Sequence, residues 1–488
     1  MAIDFFAIAP EIALTVTALI VLAADLALRG EAKQLVNPVA GLGTLVAIGF
    51  TIALWGEQRE TFGGMFVVNE FAVVFKLLFL GSLLAILGIS WRFFAEGRYF
   101  QGEYYFLLLT SFIGMLLMPS SRDLLLLFIA LETVSVPAFV MAGLRKRDLY
   151  SSEAALKFFL IGVLSVALML FGMSMVYGFA GSTYLPDIAA AMGGDAELTP
   201  LLLASVMLVI VGFAFKISAV PFHFWAPDTY AGSPMPVAAM LAVASKAAGF
   251  AGLMAVAFIA FEPVADVWAP VLGVLAILTM TIGNLVALQQ RDLIRLLAYS
   301  SVAQAGYMLI PFGLARSGAP EVNDAAVSAI VFYLVAYAVM NIGAFGVAIA
   351  VNRRTGLRSL ADYAGLAQKS PLMAMAMTVF LLSLGGAPPT VGLWAKFAII
   401  EAALVEVTVF GIVLMVFLAI NSVIAFFYYL RIVKGMWMDP AREGLPALQP
   451  GFQLSLVVLV LMVGTVVLGV LPGLVTDYSS LTSLLATG

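Results

Sequence analysis

Cysteine is absent from this sequence of 488 residues, and His223 is its only histidine. Without thiolates or several imidazoles, the chain alone cannot form a disulfide, ligate an iron–sulfur cluster or hold a haem or multi-histidine metal site. It also contains no Gly-x-Gly-x-x-Gly between a strand and a helix, and no Walker loop. We therefore expect any redox or nucleotide chemistry to reside outside this chain.

Charge is also scarce. Charged residues make up 11% of the chain and hydrophobic residues 63%, and the mean hydropathy is +1.09. These values lie far outside the range of soluble domains and indicate an integral membrane protein. The apolar runs are continuous rather than alternating, which favours helices over a barrel. The sequence thus predicts an all-α polytopic membrane protein.

The apolar runs predict about fourteen transmembrane segments, each long enough to cross a hydrocarbon core of about 30 Å. The acidic start MAIDFFAIAPE has no small-residue cleavage site, so we expect segment 1 to be retained. Numbered in order, the segments lie near residues 7–28, 38–56, 68–92, 102–120, 123–143, 151–178, 200–220, 235–260, 266–289, 292–314, 324–352, 370–400, 407–434 and 452–472.

Lysine and arginine are unevenly distributed among the connections between these segments. The even-numbered connections hold three, Arg59, Arg122 and Arg316, and the odd-numbered ones hold sixteen. Because cytoplasmic connections accumulate positive charge, we expect the odd connections in the cytoplasm and both termini outside. The sixteen are Arg29, Lys33, Arg92, Arg98, Arg145, Lys146, Arg147, Arg291, Arg295, Arg353, Arg354, Arg358, Lys369, Arg431, Lys434 and Arg442.

The five remaining basic residues are all lysines inside apolar segments. A buried lysine can exchange its proton near neutral pH, whereas an arginine stays charged. One acid, Glu132 in LFIALETVSVP, lies comparably deep, and the helical rise puts it roughly 15 Å from the nearer membrane face. The sequence therefore predicts a titratable series near the midplane. The five lysines are Lys76, Lys157, Lys216, Lys246 and Lys396.

Several of these groups have structural alternatives. Lys76 and Lys157 lie nearer a segment end, where a long side chain can snorkel to the interface. Glu132 could act only as a counter-ion, and His223 could equally cap a helix. Asp228, in APDTY, is interpreted as a turn residue rather than a proton carrier. Mid-depth position and nearby helix breaks favour a functional role for the other lysines.

A short sequence motif and a helix break each occur twice in the chain, and the two copies of each are separated by nearly the same number of residues. RDLL at Arg122 opens segment 5, and RDLI at Arg291, 169 residues later, opens segment 10. VPFHFW breaks segment 7 just after Lys216, and APPTVGLWAKF, 167 residues on, breaks segment 12 just before Lys396. Each interval contains five crossings, so the sequence predicts two inverted repeats. The expected units are segments 1–3 in residues 1–101, the repeats in 102–260 and 261–434, and segment 14 in 435–488.

A family resemblance is carried by KISAVPFHFWAPDTYAGSPMPVAAMLAVASKAAGF, SLGGAPPTVGLWAKF, RDLIRLLAYSSVAQAGYML and the membrane glutamate before Val-Pro. These stretches resemble the antiporter-like membrane subunits of respiratory complex I, the proton-pumping NADH:quinone oxidoreductase. The chain looks most like the N subunit, because it is too short for the L subunit. It also has Lys396 where the M subunit typically carries a glutamate.

The resemblance implies a proton relay through the membrane, with roles for four residues as the main sites. They are Glu132 as the segment 5 acid, Lys216 on segment 7 as its partner, Lys246 on segment 8 as the central relay and Lys396 on segment 12 as the terminal lysine.

Secondary sites are implied at three further positions. His223 and Tyr299 match motif positions that line the water path, and Lys157 matches a segment 6 lysine near the inner end. One residue departs from the family pattern. Gln304 stands where members often have a titratable histidine, and an amide can bond to water but cannot carry a proton by ionising.

The same resemblance implies partners and a location. FMN, iron–sulfur clusters and quinone are expected in partner subunits, and no cofactor in this chain. Neighbouring antiporter-like subunits, other membrane and peripheral subunits of complex I and membrane lipids are the expected contacts, without nucleic acid. The expected location is the bacterial inner membrane. The alternative is a subunit of a multi-subunit cation/proton antiporter, while a stand-alone solute carrier is disfavoured because the buried groups form no compact pocket.

Overall fold

The computed structural model describes residues 3–96, 101–194, 199–356, 358–441, 448 and 450–474 of the chain. Within this part the molecule is almost entirely helical. Its α-helices are α1 Ala9–Ala27, α2 Val36–Ala53, α3 Glu70–Glu96, α4 Gln101–Ser120, α5 Leu124–Ala142, α6 Leu149–Ala180, α7 Leu185–Gly193, α8 Pro200–Lys216, α9 Trp225–Gly232, α10 Met235–Met240, α11 Lys246–Ala255, α12 Ala265–Gln289, α13 Leu293–Leu314, α14 Pro320–Thr355, α15 Leu366–Lys369, α16 Pro371–Gly385, α17 Val391–Val405, α18 Val409–Met438 and α19 Phe452–Val470.

Membrane-spanning helices dominate this part of the chain. Twelve helices among the described residues are long and apolar enough to cross a membrane. Two further apolar helices, α8 and α16, are shorter, and they are the segments in which the sequence predicts a break. The prediction of an all-α polytopic membrane protein is confirmed.

One span lies at the centre of the molecule. Helices α10 and α11 form a continuous span, Met235–Ala260, that the rest of the chain encloses completely. Helices α13 and α14 are nearly as enclosed, whereas α18 and α19 leave most of their surface exposed. A helix that is apolar on all sides is suited to such a central position. Two π-helical turns, Leu241–Ser245 and Val256–Ala260, interrupt this span, and the sequence did not predict them.

The two RDL motifs begin helices in the same way. Asp123 caps α5 by accepting from the amides of its first turn, and Asp292 does the same for α13. Each motif also exchanges two backbone hydrogen bonds with a distant loop. Arg122 and Leu124 bond to the residues around Tyr184, and the corresponding residues of the second motif bond to those around Ser359.

A short hairpin precedes α3. Strands β1 Arg59–Thr61 and β2 Phe66–Val68 pair antiparallel, and Phe66 also bridges to Ser121 at the start of the first RDL motif. The sequence did not predict this hairpin. Through the bridge from Phe66 to Ser121, the hairpin links the connection before α3 to the connection before α5.

Some predictions fall outside the described residues. These are the basic residues Arg98 and Arg442 and the last part of the expected C-terminal unit, residues 475–488.

Candidate functional site

The break between α8 and α9 follows from local backbone chemistry. Ser218 adopts a left-handed conformation with φ 61°, and Pro221 has no N–H to continue the helix. The carbonyl of Phe215, released near the helix end, accepts hydrogen bonds from the amide of Ser218 and from the indole of Trp225. The indole of Trp225 thus supplies a hydrogen bond to a carbonyl that a continuous helix would satisfy with a backbone amide.

Lys216 is the last residue of α8 and is 2% exposed. Its Nζ donates to Oγ of Ser135 at 2.9 Å, and Ser135 in turn donates to the carbonyl of Leu131. Glu132 lies three residues before Ser135 and therefore on the same face of α5. The carboxylate and Lys216 interact electrostatically, but their side chains form no ion pair within 4.0 Å.

The predicted pairing of Glu132 with Lys216 is therefore not a direct contact in this structure. Serine occupies the position nearest the ammonium group, and Oε1 of Glu132 is buried without a hydrogen-bond partner among the described residues. The sequence offered no signal for Ser135, because it lies 81 residues from Lys216 and the two meet only in the folded chain.

Lys246 lies in the central span, directly after the π turn Leu241–Ser245. It is 1% exposed, and its Nζ donates to the carbonyl and to Oγ of Ser301 on α13, at 2.7 and 2.6 Å. π turns are rare and frequently occur at functional sites. The π turn ends at Ser245, directly before Lys246. The direction in which the Lys246 side chain points therefore depends on this turn.

Lys396 lies in α17, after the second break. Its Nζ donates at 2.7 Å to the carbonyl of Gly385, the last residue of α16, and lies 5.0 Å from the centre of the Tyr307 ring. Gly386, with φ 90°, turns the chain between the two half-helices. The C-terminal end of a helix is partially negative and favours a cation. The ammonium group is thus held by a helix end and an aromatic face.

An ion cluster lines a cavity of about 710 Å³. Asp228 bonds to Nζ of Lys157 at 2.7 Å and to Arg295 at 2.8 Å, and Glu153 also contacts Lys157, at 2.6 Å. Tyr299, one turn beyond Arg295, is partly buried and interacts electrostatically with Asp228. The structure thus places Lys157 in this cluster, while Tyr299 lies one turn from Arg295 and is not among the residues that line the cavity.

Asp228 lies in the first turn of α9 rather than in a chain turn, and its carboxylate joins α6 to α13. Its two partners are 71 and 67 residues away in the sequence, so no local pattern could have revealed them. Lys157 is about two-fifths exposed and paired, which is consistent with a position at the interface.

His223 lies in the first break and is 8% exposed. Its carbonyl accepts from the amide of Ala226, and its Nδ1 has no hydrogen-bond partner among the described residues. It does not line the cavity that contains Lys157 and Asp228. Of the predicted secondary sites, His223 therefore lies apart from the cavity that Lys157 lines.

Lys76 differs from the other buried lysines. Its side chain is fully buried and its Nζ lies 2.9 Å from Oε1 of Glu11, itself almost fully buried. A snorkelling role is excluded by this burial. The partner could not be identified from the sequence, since Glu11 precedes it by 65 residues.

These features define a class of protein. Several membrane helices enclose buried lysines, two of which lie at helix interruptions, and such sites are typical of proteins that move ions across membranes. No group of three or more His, Asp or Glu residues in the described part of the chain could hold a metal ion.

Comparison with known proteins identifies the family. The model of a transmembrane family described as NADH:quinone oxidoreductase/Mrp antiporter matches residues 121–424, more than half of the chain. A Symbiobacterium thermophilum protein named NADH-quinone oxidoreductase subunit N 2 is 39% identical over 492 residues, covering 95% of this chain and 94% of that protein. The chain therefore belongs to the NADH:quinone oxidoreductase/Mrp antiporter membrane family, and several of its curated relatives are named as subunit N.

Solved structures agree. A chain of respiratory complex I from Thermus thermophilus is 32% identical, with a TM-score of 0.78, and the match covers 96% of this chain and 98% of that one. A chain of the Mrp complex from Dietzia has a TM-score of 0.78, covers 98% of this chain and 95% of its own, and is 21% identical, so it shows a shared fold alone. The resemblance inferred from the sequence is confirmed.

Proposed function

We propose that this chain is a proton-translocating membrane subunit of NADH:quinone oxidoreductase, driven by quinone reduction in other subunits. Its relatives' names and the Thermus complex I chain support this function. FMN, iron–sulfur clusters and quinone would reside in the partner subunits, with this chain in the bacterial inner membrane and both termini on the outer side.

The observation that carries the proposal is the nature of the groups that hold three buried lysines. Lys216, Lys246 and Lys396 are at most 7% exposed, and their ammonium groups bond to serine oxygens or to backbone carbonyls. None of the three has a carboxylate within 4.0 Å among the described residues. Lys76, by contrast, has Glu11.

Neutral acceptors suit a lysine whose charge is temporary. Removing one charge of a buried ion pair leaves the other uncompensated, which costs about 3–5 kcal/mol. A lysine held directly by hydroxyl and carbonyl groups can lose its proton without breaking a direct ion pair. We therefore assign Lys216, Lys246 and Lys396 to the relay, with Glu132 as the acid that responds to the charge on Lys216.

The cavity beside Asp228 is the proposed water-filled mouth of the relay. Lys157 and Tyr299 are assigned secondary roles there, whereas His223 is assigned to the break between α8 and α9. The mouth contains residues from connections that the charge distribution assigns to the cytoplasm, which supports proton uptake from that side.

We also propose fourteen crossings and two inverted repeats, 102–260 and 261–434, between the units 1–101 and 435–488. The two half-helix pairs α8/α9 and α16/α17 each count as one crossing in addition to the twelve long helices. The shared capping and backbone bonding of the two RDL motifs supports the repeat.

Substitution of the three relay lysines tests the proposal. In membrane vesicles containing the assembled complex, Lys216→Met, Lys246→Met and Lys396→Met should each lower NADH-driven proton uptake by about tenfold or more, equal to about 1.4 kcal/mol on the transfer barrier. Lys146→Met is the matched control, because Lys146 is exposed. Normal uptake by all three assembled variants would refute the relay.

A cation/proton antiporter subunit is the second candidate, because the family model and the fold include the Mrp complex. Sodium-dependent proton flux in vesicles without an electron donor separates the two functions. Robust exchange under that condition would favour the antiporter.

A further inference from the structure

The end of the half-helix α16 is completed by two side chains from other helices. The last carbonyls of any helix lack partners within it. Here Leu384 O accepts from Nε2 of Gln304 at 3.0 Å, and the next carbonyl, Gly385 O, accepts from Nζ of Lys396 at 2.7 Å. The amide and the ammonium group therefore bind adjacent carbonyls at one helix end.

The orientation of the Gln304 amide is fixed from both sides. Its Oε1 accepts from the hydroxyl of Tyr333 at 2.6 Å, and its Nε2 lies 3.5 Å from the hydroxyl of Tyr429 as well as bonding to Leu384. The residue has no exposed surface. Rotation of the amide by half a turn would place its oxygen against the Leu384 carbonyl oxygen, which can only accept, so one orientation is preferred.

Gln304 lies between two lysine sites on one face of α13. Ser301, three residues earlier, accepts from Lys246, and Tyr307, three residues later, presents its ring to Lys396. Residues three apart on a helix are neighbours. Of these three residues, Gln304 is the one that bonds to the end of α16.

We propose that Gln304 is a positioning residue: by capping Leu384 O, it holds the end of α16 so that Gly385 O stays in place to bind the Lys396 ammonium group. The amide does not ionise, so it carries no proton itself. Losing its N–H would leave a buried carbonyl unsatisfied and free the helix end on which Lys396 depends. This inference rests on the proposed relay role of Lys396.

Donor capacity, rather than size, should therefore decide which residues function at position 304. Gln304→Met and Gln304→Leu offer no hydrogen-bond donor, while Gln304→His has a different shape and retains one N–H. We expect the Met and Leu variants to lower NADH-driven proton uptake by about tenfold, a barrier change of about 1.4 kcal/mol, and the His variant to retain most of it. If Gln304 served only to fill space, the Met variant should instead retain more proton uptake than the His variant.

Asn341→Leu is the matched control, because Asn341 is an equally buried amide whose Nδ2 bonds to Tyr337 rather than to a helix end. Uptake is normalised to the amount of assembled complex on immunoblots, and a variant that fails to assemble is replaced by the other donor-free variant. Normal uptake by Gln304→Met or Gln304→Leu, or a loss in the His variant as large as theirs, would overturn the inference. Normal uptake by Lys396→Met would instead refute the proposed relay role.

Discussion

At the scale of single residues, the partner of each buried lysine distinguishes two kinds of site. Lys76 contacts a carboxylate, whereas Lys216 contacts the hydroxyl of Ser135. A buried ion pair fixes both charges, since removing either one is costly. A hydroxyl stabilises the ammonium group less strongly and permits it to lose its proton. The acceptor therefore matters as much as the lysine.

Ser135 provides a direct test of this distinction. Ser135→Asp would introduce a carboxylate beside Lys216 and retain the proton there, so we expect proton uptake to fall by about tenfold. Ser135→Ala removes one hydrogen bond to a charged group, worth about 1.5–3 kcal/mol, and should still allow proton release, with a smaller loss of uptake. NADH-driven uptake in vesicles measures both. The idea fails if the Asp variant assembles and takes up protons faster than the Ala variant.

The Glu11–Lys76 pair should affect stability rather than transport. Lys76→Met leaves the almost fully buried Glu11 unpaired, which should destabilise the subunit by about 3–5 kcal/mol. The double variant Lys76→Met with Glu11→Gln removes both charges and should recover most of that loss. Thermal inactivation of the solubilised complex measures the difference. Equal inactivation of the single and double variants would contradict a charge-pair explanation.

Asp228 joins α6 to α13 beside the cavity through ion pairs with Lys157 and Arg295. Both ion pairs are partly exposed. Such pairs contribute little to stability, about 0–1 kcal/mol each. Asp228→Asn should therefore leave thermal stability nearly unchanged while slowing proton uptake several-fold, about 1 kcal/mol on the barrier, because the carboxylate that orders Lys157 and Arg295 is lost. Asp187→Asn, an exposed acid bonded to Ser182, is the control. If Asp228→Asn left proton uptake unchanged, the cavity beside Asp228 would not be part of the proton pathway.

At the scale of elements, the second break depends on one glycine. Gly386 has φ 90°, and a Cβ there would lie 3.1 Å from Cδ and 3.2 Å from Nζ of Lys396. Gly386→Ala would be strained in that conformation and would crowd the lysine. We expect a large loss of proton uptake in the assembled complex. Gly178→Ala, with open space around its Cβ, is the control, and similar behaviour of the two variants would contradict this reasoning.

The helices themselves were largely predictable from the sequence, since a run of apolar residues and its flanking charges fix a membrane helix locally. Pro221 and the Pro388–Pro389 pair likewise marked the two breaks. The partners of the lysines were not predictable. Ser135, Ser301 and Gly385 become neighbours only through helix packing, and serine or glycine in an apolar helix carries no distinguishing pattern. The π turn before Lys246 also has no such signal.

At the scale of the whole molecule, the proposed function requires that the energy for the relay come from outside this chain. Moving one charge against 100 mV requires about 2.3 kcal/mol, which must come from partner subunits. The isolated subunit in liposomes should therefore generate no proton gradient when NADH and quinone are added, and the full complex should. A gradient formed by the purified subunit alone would contradict the proposed role.

The enclosed central span has a consequence for how the surrounding bilayer acts on transport. Because every residue of Met235–Ala260 is covered by protein, no lipid touches the helix that carries Lys246. Acyl-chain length and headgroup composition act directly on peripheral helices such as α18 and α19. A change in the bilayer therefore affects the central lysine only when those outer helices shift and transmit their movement inward.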